Sequence, residues 1–337
     1  MMIVKKHIYG RRPLPPNTFI GGVGSTLSTK NLLATKLGIA STRIKSFRIV
    51  NEEVQAYIQG NYNLATLLFG NYADPSAANL NITHYFDNDN LVKAIGIYSF
   101  ANCINFSDFK FLGLNRLDNR AFFNTGVVHV NLHTLPATML GEPHGWFQNC
   151  SKLRTANLGN FTSINFLNCF NKCTSLESVV MKSKFYGPDT LTNVGVIDFE
   201  NEFVEILSDY SMRQNSRFQK VVVNNCIQMG ESVLYKNSNT EGQYNWLKEF
   251  IAPKVISIGN SAFRNNAGLI LVDIRACKSL GLSVFLNALK SGAIIKVHVF
   301  LATSNNGDPD PNLVYAKNTR GAIVEFYDNN GNYVSTL

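Results

Sequence analysis

The 337-residue sequence predicts an α/β solenoid, in which short strands and short helical segments stack repeat upon repeat over residues 95–299. Three observations predict this fold. A skeleton of apolar, glycine and asparagine positions recurs at intervals of roughly 23 residues. Apolar residues alternate in the last part of each copy, as they do in half-buried strands. Hydrophobic residues make up 45% of the chain, enough to give the stacked copies a shared core.

Residues 1–24 are basic and then rich in proline and glycine. Because proline fixes φ and favours extended chain, we predict an arm here and not a packed element. Two alternatives stay open for the arm: a disordered tail, or a segment that orders when it docks on a partner. Its candidate docking side chains are Lys5, Lys6, Arg11 and Arg12.

Residues 25–94 are predicted to form an N-terminal cap, which hides the open end of the repeat core and can also serve as an adaptor. We expect helices near Thr29–Leu37 and Glu52–Leu68, followed by a strand near Asn81–Phe86.

The repeats are clearest in Val255–Ile274, with an Ile-Gly turn, an Ala-Phe pair, an Asn-Asn pair, and then Leu, Val and Ile. We predict that the aromatic of each copy closes a layer of the core, as at Phe100, Phe122, Phe147, Phe170 and Phe263. The last inward position of each copy is expected at residues 111, 132, 158, 181, 223, 252, 274 and 299.

Two segments interrupt or follow the repeats. Residues 182–215 are predicted to be an insertion, in which Asn201–Tyr210 resembles an amphipathic helix with Phe203, Ile206 and Leu207 on one face. Residues 300–337 are predicted to form a C-terminal β cap, because the Asn329–Gly331 run between apolar residues is typical of a hairpin turn.

The pattern Ile-Gly, Ala-Phe, Asn-Cys, Leu, Val, Ile over residues 95–299 resembles the BspA-like leucine-rich repeat. That family is familiar from bacterial surface adhesins and from virion proteins of crAss-like and other phages of Bacteroidetes. The resemblance implies a leucine-rich-repeat solenoid that binds surfaces, glycans or proteins, without fixing which.

The net charge of +8 is concentrated at the start of the chain, because residues 1–51 hold nine Lys and Arg and no Asp or Glu. The remaining 22 positive and 23 negative residues balance, so no nucleic acid is expected to bind the body. No apolar run reaches the roughly 18 residues of a membrane span. The start lacks the pattern of a signal peptide, so we expect assembly in a cytoplasm.

Little in the sequence predicts catalytic chemistry. Cys103, Cys150 and Cys173 recur beside the repeat asparagines, which favours buried residues whose side chains satisfy turn backbone groups. Cys169 and Cys173 resemble half a metal site, but no second pair follows at zinc-like spacing. The six histidines are dispersed, and no nucleophile elbow or phosphate-binding loop is present. We therefore expect no enzyme activity, cofactor or metal.

Two acidic pairs are candidate chemical sites. Asp308 and Asp310 faintly resemble a calcium loop, but flanking prolines favour a solvated turn. Glu249 and Asp273 lie on adjacent predicted layers, which keeps open a glycan hydrolase as a less favoured class.

Strand alternation predicts which side chains face away from the core. That outward strip holds Asp108, Lys110, His129, Asn131, Thr155, Asn157, Ser178, Val180, Lys220, Val222, Glu249, Ile251, Leu271, Asp273, Lys296 and His298. Within it, the candidate binding surface is His129, Asn131, Thr155, Asn157, Val180, Val222, Ile251, Leu271 and Asp273. Its apolar members, Val180, Val222, Ile251 and Leu271, form a predicted contact patch, and an ordinary solvated face is the alternative.

Together these features favour a non-enzymatic virion structural protein of a phage, such as a head or tail fibre or a decoration subunit. It would dock on other virion proteins through its N-terminus, assemble as a homo-oligomer, and display the repeats toward a host-surface glycan or protein. The alternative is a BspA-like adhesin on a bacterial cell surface.

Overall fold

The computed structural model describes residues 44–50, 53–58, 62–64, 69–70, 84–87, 94–95, 97–98, 100–111, 114, 116–133, 144–159, 161, 166–215, 217–235 and 246–337. Two compact units divide the chain. The first unit runs to Phe161 and includes Lys172–Val180; the second holds Thr162–Asn171 and Met181–Leu337.

The first sheet described in the first unit is four-stranded and antiparallel. Its strands are β1 (Ile44–Val50), β2 (Glu53–Ile58), β3 (Tyr62–Leu64) and β4 (Phe69–Gly70), paired in that order. The predicted helix over Glu52–Leu68 is therefore wrong. Alternate apolar positions at Val54, Ala56 and Ile58 give β2 a period of two, and pairing with β1 outweighs the local helix preference. The arm and the predicted helix near Thr29–Leu37 lie outside the described residues.

Parallel pairing between repeats begins at β5 (His84–Asp87), which confirms the strand predicted near Asn81–Phe86. The next strands of the first unit are β6 (Ala94–Ile95), β7 (Asp108–Phe111), β8 (Arg116–Leu117), β9 (His129–Asn131), β10 (Thr155–Asn157) and β11 (Ser178–Val180). β5 pairs with β7, β6 with β8, and β9, β10 and β11 form one parallel sheet. Parallel repeat strands thus start before residue 95, while the boundary between cap and repeats stays a prediction.

Stacked phenylalanine rings fill the core of the first unit. The ring of Phe122 lies 5.3 Å from that of Phe100 on one side and 5.3 Å from that of Phe147 on the other, with nearly parallel planes. Phe106 and Phe109 join the same stack. All five side chains are buried, as the repeat pattern predicted for Phe100, Phe122 and Phe147.

The second unit consists of two ladders of parallel strands and a C-terminal hairpin. In chain order its strands are β12 (Phe185–Tyr186), β13 (Asp198–Glu200), β14 (Ile206–Leu207), β15 (Lys220–Val222), β16 (Gln228–Met229), β17 (Glu249–Ile251), β18 (Ser257–Ile258), β19 (Leu271–Ile274), β20 (Ser279–Leu280), β21 (Ile294–His298), β22 (Ile323–Tyr327) and β23 (Tyr333–Thr336). The long ladder has the order β13-β15-β17-β19-β21-β22-β23, and the short ladder has the order β12-β14-β16-β18-β20. The predicted repeat fold is therefore confirmed, with more strand and less helix than expected.

Hydrogen-bonded turns occupy the places where short helical segments were predicted. In the clearest repeat, Ser261 and Asn265 have φ of 55° and 65°, and these left-handed residues flank Phe263. A left-handed residue cannot continue an α-helix, so the segment closes as a turn. The turn instead bonds to its neighbour, since the Phe263 N–H donates to the carbonyl of Val284 at 3.1 Å.

The predicted insertion contains repeat strands of its own. β12 and β14 belong to the short ladder, and β13 pairs with β15 in the long one. Leu191 and Met212 are buried where other repeats place phenylalanine. The helix predicted for Asn201–Tyr210 is wrong, because β14 lies there and the Asn201 side chain accepts hydrogen bonds from two following backbone N–H groups.

The C-terminal residues form a helix and the predicted hairpin. Asp310 caps the helix α1 (Pro311–Arg320) by accepting from the Asn312 N–H at 2.8 Å, which explains one of the two aspartates of the faint calcium pattern. β22 and β23 are antiparallel, so the hairpin is confirmed. The last inward position predicted for this copy, residue 299, is wrong, because the fully buried positions of β21 are Ile295 and Val297.

Candidate binding surface

Each unit carries its own outward side chains on parallel strands: those of β9–β11 in the first unit, and those of the long ladder in the second, which we call the strand face. In the first unit, the register places Asn131, Asn157 and Val180 in one row, and His129 and Thr155 in another. The Nδ1 atom of His129 lies 2.8 Å from the Thr155 hydroxyl. Five predicted site residues are therefore brought together on this sheet.

In the second unit, Val222, Ile251 and Asp273 are consecutive members of one row across β15, β17 and β19. Leu271 belongs to the other row, opposite Glu249 on one side and Ile294 on the other. All four predicted residues lie on the long ladder, in two adjoining rows. Val180 belongs to the first unit. Three of the four residues of the predicted apolar patch, Val222, Ile251 and Leu271, therefore lie on the long ladder.

Sequence reasoning missed two apolar members of this ladder. Ile294 and Ile323 continue the row of Leu271 across β21 and β22, and Ile323 is exposed. The repeat skeleton predicted residue 299 as the last inward position of this copy, two residues beyond Val297, which pairs with the last inward residue of the preceding copy, Ile274. The buried pair Ile295 and Val297, flanking Lys296, was the signal that could have corrected it.

Asp273 and His298 were predicted to be exposed, but they are only 6% and 5% exposed. Asp273 is covered by Arg275, whose Nε donates to Oδ1 at 3.0 Å and whose second nitrogen contacts the other carboxylate oxygen. His298 is covered by the turn of the hairpin, where its Nε2 lies 2.9 Å from the Asn329 side-chain oxygen. The C-terminal turn thus closes over one end of the strand face.

Charged residues alternate with the apolar ones on the long ladder. Asp198, Lys220 and Glu249 follow one another in one row, and Lys220 forms an ion pair with Glu200 at 3.4 Å. Two cations lie near the side chain of Tyr327, with Arg275 5.4 Å and Lys296 5.9 Å from its ring centre. The surface therefore offers apolar, charged and aromatic contacts within one registered sheet.

The glycan-hydrolase alternative needs two carboxylates that are free to react. Asp273 is already bound through both oxygens to Arg275. The register also places Glu249 opposite Leu271 and Asp273 opposite Ile251, so the two acids are not opposite each other. This arrangement favours a structural ion pair over catalysis.

All six cysteines are buried, as predicted for Cys103, Cys150 and Cys173, and none of them forms a disulfide. The Cys173 thiol donates to the backbone carbonyl of Phe147 at 3.0 Å, and Asn266 donates in the same way to Leu234 at 2.6 Å. Burial raises the pKa of Cys226 and of Cys277 to about 12. A thiol with so high a pKa is a poor nucleophile and a poor metal ligand.

In the part of the chain that the structure describes, no three His, Cys, Asp or Glu side chains are grouped so that they could hold a metal ion. None of the helices found there is long and apolar enough to cross a membrane.

Comparison with known proteins shows a family match. The model of the BspA type leucine rich repeat region matches residues 78–190 and 185–291, in six copies, which is more than half of the chain. No curated protein matches.

Two solved structures are similar to the chain. A leucine-rich repeat protein from Bacteroides ovatus ATCC 8483 has 15% identity and a TM-score of 0.30, with 68% of this chain and 82% of that one covered. A leucine rich cell surface protein from Faecalibacterium prausnitzii A2-165 has 13% identity and a TM-score of 0.22, with 67% and 81% covered.

Proposed function

Because the chain belongs to the BspA type leucine-rich repeat family, we propose that it is a non-enzymatic binding protein that contacts its partner through the strand face. The observation that carries this proposal is the registered row of Val222 and Ile251 on the long ladder, beside the row of Leu271, Ile294 and Ile323. Apolar side chains held outward on a rigid sheet are typical of contact surfaces.

The proposal places the protein on a phage virion, as a head or tail fibre or a decoration subunit. The support is the resemblance of its repeats to those of phage structural proteins, together with the basic arm. Lys5, Lys6, Arg11 and Arg12 would dock on acidic surfaces of other virion proteins. The strand face would then meet a glycan or protein of the host surface, and copies of the chain would associate as a homo-oligomer.

Family membership supports a second placement, as an adhesin on a bacterial cell surface. Mass spectrometry of purified virions alongside envelope fractions of the host separates the two. We expect the protein in particles, at a fixed ratio to the capsid subunit. Abundance in envelopes together with absence from particles would overturn the virion placement and favour the adhesin.

The strand face itself is tested by binding of the labelled, purified chain to host cells. We expect Ile251→Asp and Val222→Asp to lower cell binding by about tenfold each, since each places a charge in an apolar contact. Ile104→Asp is the matched control, because Ile104 is an exposed isoleucine outside the strand face. Equal binding by all three variants would refute the strand face as the contact. Light scattering of the same samples tests the homo-oligomer.

A further inference from the structure

A second apolar surface lies on the short ladder of the second unit, away from the strand face. Its centre is formed by Phe185, Ile206, Ile227 and Ile256, and its rim by Phe203 and the lysines Lys182, Lys184, Lys254 and Lys278; we call this set the lysine-rimmed patch. Ile227 and Ile256 are 42% and 53% exposed. Exposed isoleucines beside exposed phenylalanines are unusual on a solvated sheet.

Backbone hydrogen bonds show that the apolar members are neighbours. The Ile227 N–H donates to the Glu205 carbonyl at 2.8 Å, and the Ile256 N–H donates to the Ile227 carbonyl at 2.9 Å. The row then reaches Lys278, whose N–H donates to the Ile256 carbonyl at 2.9 Å. The next row places Phe185 opposite Ile206. Ile227 and Ile256 are therefore direct neighbours. Phe185 and Ile206 form a second apolar pair in the adjoining row.

The lysines at the rim are mostly bound to neutral groups. The Lys182 ammonium lies 5.4 Å from the centre of the Phe203 ring. Lys254 donates to the Asn225 side-chain oxygen at 2.7 Å, and Lys278 donates to that of Asn329 at 3.1 Å. Lys184 differs, because it forms an ion pair with Glu205 at 2.5 Å. The patch therefore presents more positive than negative charge around an apolar centre.

We propose that the lysine-rimmed patch binds an acidic protein segment that carries apolar side chains. Carboxylates of such a segment would meet the lysine ammonium groups, while its apolar side chains would cover Ile227 and Ile256. A second copy binding through the same patch is disfavoured, because the two lysine rims would repel each other. Insertion into an anionic membrane is disfavoured, because these side chains rise from a flat ladder of two-residue strands and are all partly covered.

The probe is a synthetic 12-residue peptide of alternating Leu and Glu, with an alternating Leu and Lys peptide and an alternating Ser and Glu peptide as comparisons. Binding to the full chain is measured by fluorescence anisotropy at low and high salt. We expect the Leu-Glu peptide alone to bind, with an affinity that falls as salt increases.

The double variant Ile227→Ser/Ile256→Ser should raise the Kd of the Leu-Glu peptide by at least about tenfold. Lys254→Gln/Lys278→Gln should weaken binding and flatten its salt dependence. Ile251→Ser on the strand face is the matched control and should bind like the unchanged chain, which keeps this test independent of the proposed function. Unchanged thermal unfolding curves show that each variant is folded.

Three outcomes would overturn the proposal. The first is absence of Leu-Glu binding, and the second is binding that neither double variant weakens. The third is patch-dependent binding to phosphatidylglycerol vesicles without binding of the peptide, which would identify a membrane surface instead.

Discussion

The thiol of Cys150 donates a hydrogen bond to the backbone carbonyl of Phe122, 3.0 Å away in the preceding repeat. The Thr125 hydroxyl donates to the same carbonyl at 3.1 Å. Burial raises the pKa of Cys150 to about 11. The thiol therefore acts as a neutral donor that joins adjacent turns, and its protonated form is the one that the folded state requires.

Stability is expected to fall in alkaline solution for this reason. In the unfolded chain a thiol loses its proton near its ordinary pKa of 9.0, whereas folding holds the proton on Cys150 to about pH 11. The contribution of this thiol to folding stability is therefore complete below pH 9 and is lost as pH rises toward 11, by at most about 1.4 kcal/mol per pH unit for each such thiol. Denaturant unfolding in the presence of reductant at several pH values measures the slope.

Cys150→Ala serves as the comparison in that experiment. The variant should be less stable at pH 8, because a donor and core volume are lost, and its stability should decline less steeply above pH 9. An unfolding free energy that is the same at pH 8 and pH 10.5 in the unchanged chain would contradict the role given to the thiols.

Asn124 should tolerate glycine better than alanine. Its φ is 53°, and its side-chain amide donates to the Asn102 side-chain oxygen at 2.8 Å. Both substitutions remove that hydrogen bond, but only alanine adds the strain of a left-handed residue, about 1 kcal/mol. Thermal unfolding should rank the unchanged chain above Asn124→Gly, and Asn124→Gly above Asn124→Ala. The reverse order of the two variants would show that the backbone conformation does not select asparagine here.

Gly259 should not accept a side chain. A Cβ at this position would lie 2.5 Å from the carbonyl carbon of Gly230 in the preceding repeat, closer than atoms can pack. We expect Gly259→Ala to lower the unfolding free energy by about 3 kcal/mol, because a backbone group must move. Ser279→Ala, at an exposed position of the same ladder, is the control and should change stability little. Equal stability of the two variants in denaturant would refute the close contact between Gly259 and Gly230.

Asp328 should control the C-terminal hairpin in a pH-dependent way. Hydrogen bonds from the backbone N–H and the side chain of Asn332 lower the pKa of the Asp328 carboxyl below its ordinary value of 3.8. Its contribution is therefore present above pH 3.8 and is lost as pH falls through the lowered value. At pH 6, Asp328→Ala should speed hydrogen exchange of β23 amides, measured by mass spectrometry, while Asp308→Ala should not. If the β23 amides exchange equally fast in Asp328→Ala and in the unchanged chain, the Asp328 carboxylate does not stabilise the hairpin.

The sequence was enough to predict the repeat fold, because the recurring phenylalanines and the strand alternation both report burial. It was not enough to find the repeats around Leu191 and Met212. In these two repeats, leucine and methionine occupy the core position that phenylalanine has elsewhere. The distance to the next recurring phenylalanine is therefore longer than one repeat, and this segment resembles an insertion. The antiparallel sheet β1–β4 was missed for another reason: strand pairing depends on distant partners, which local helix preference does not record.

The candidate surface was predicted in part. Alternation alone placed Val222, Ile251 and Leu271 correctly, since period two decides the side of a strand. It failed at Asp273 and His298, because their burial comes from Arg275 and from the distant hairpin turn. The lysine-rimmed patch could not be predicted from the sequence, because strands of two residues are too short to show a period.

In several of the described repeats a side-chain donor bonds to a backbone carbonyl of the preceding repeat, as Cys150, Cys173 and Asn266 do, and left-handed residues recur in the turns. Duplicating or deleting one whole repeat would leave every other junction as it was. The contact area of such a protein can therefore grow or shrink by one repeat at a time. Its outward residues can also change in evolution while the core residues stay the same.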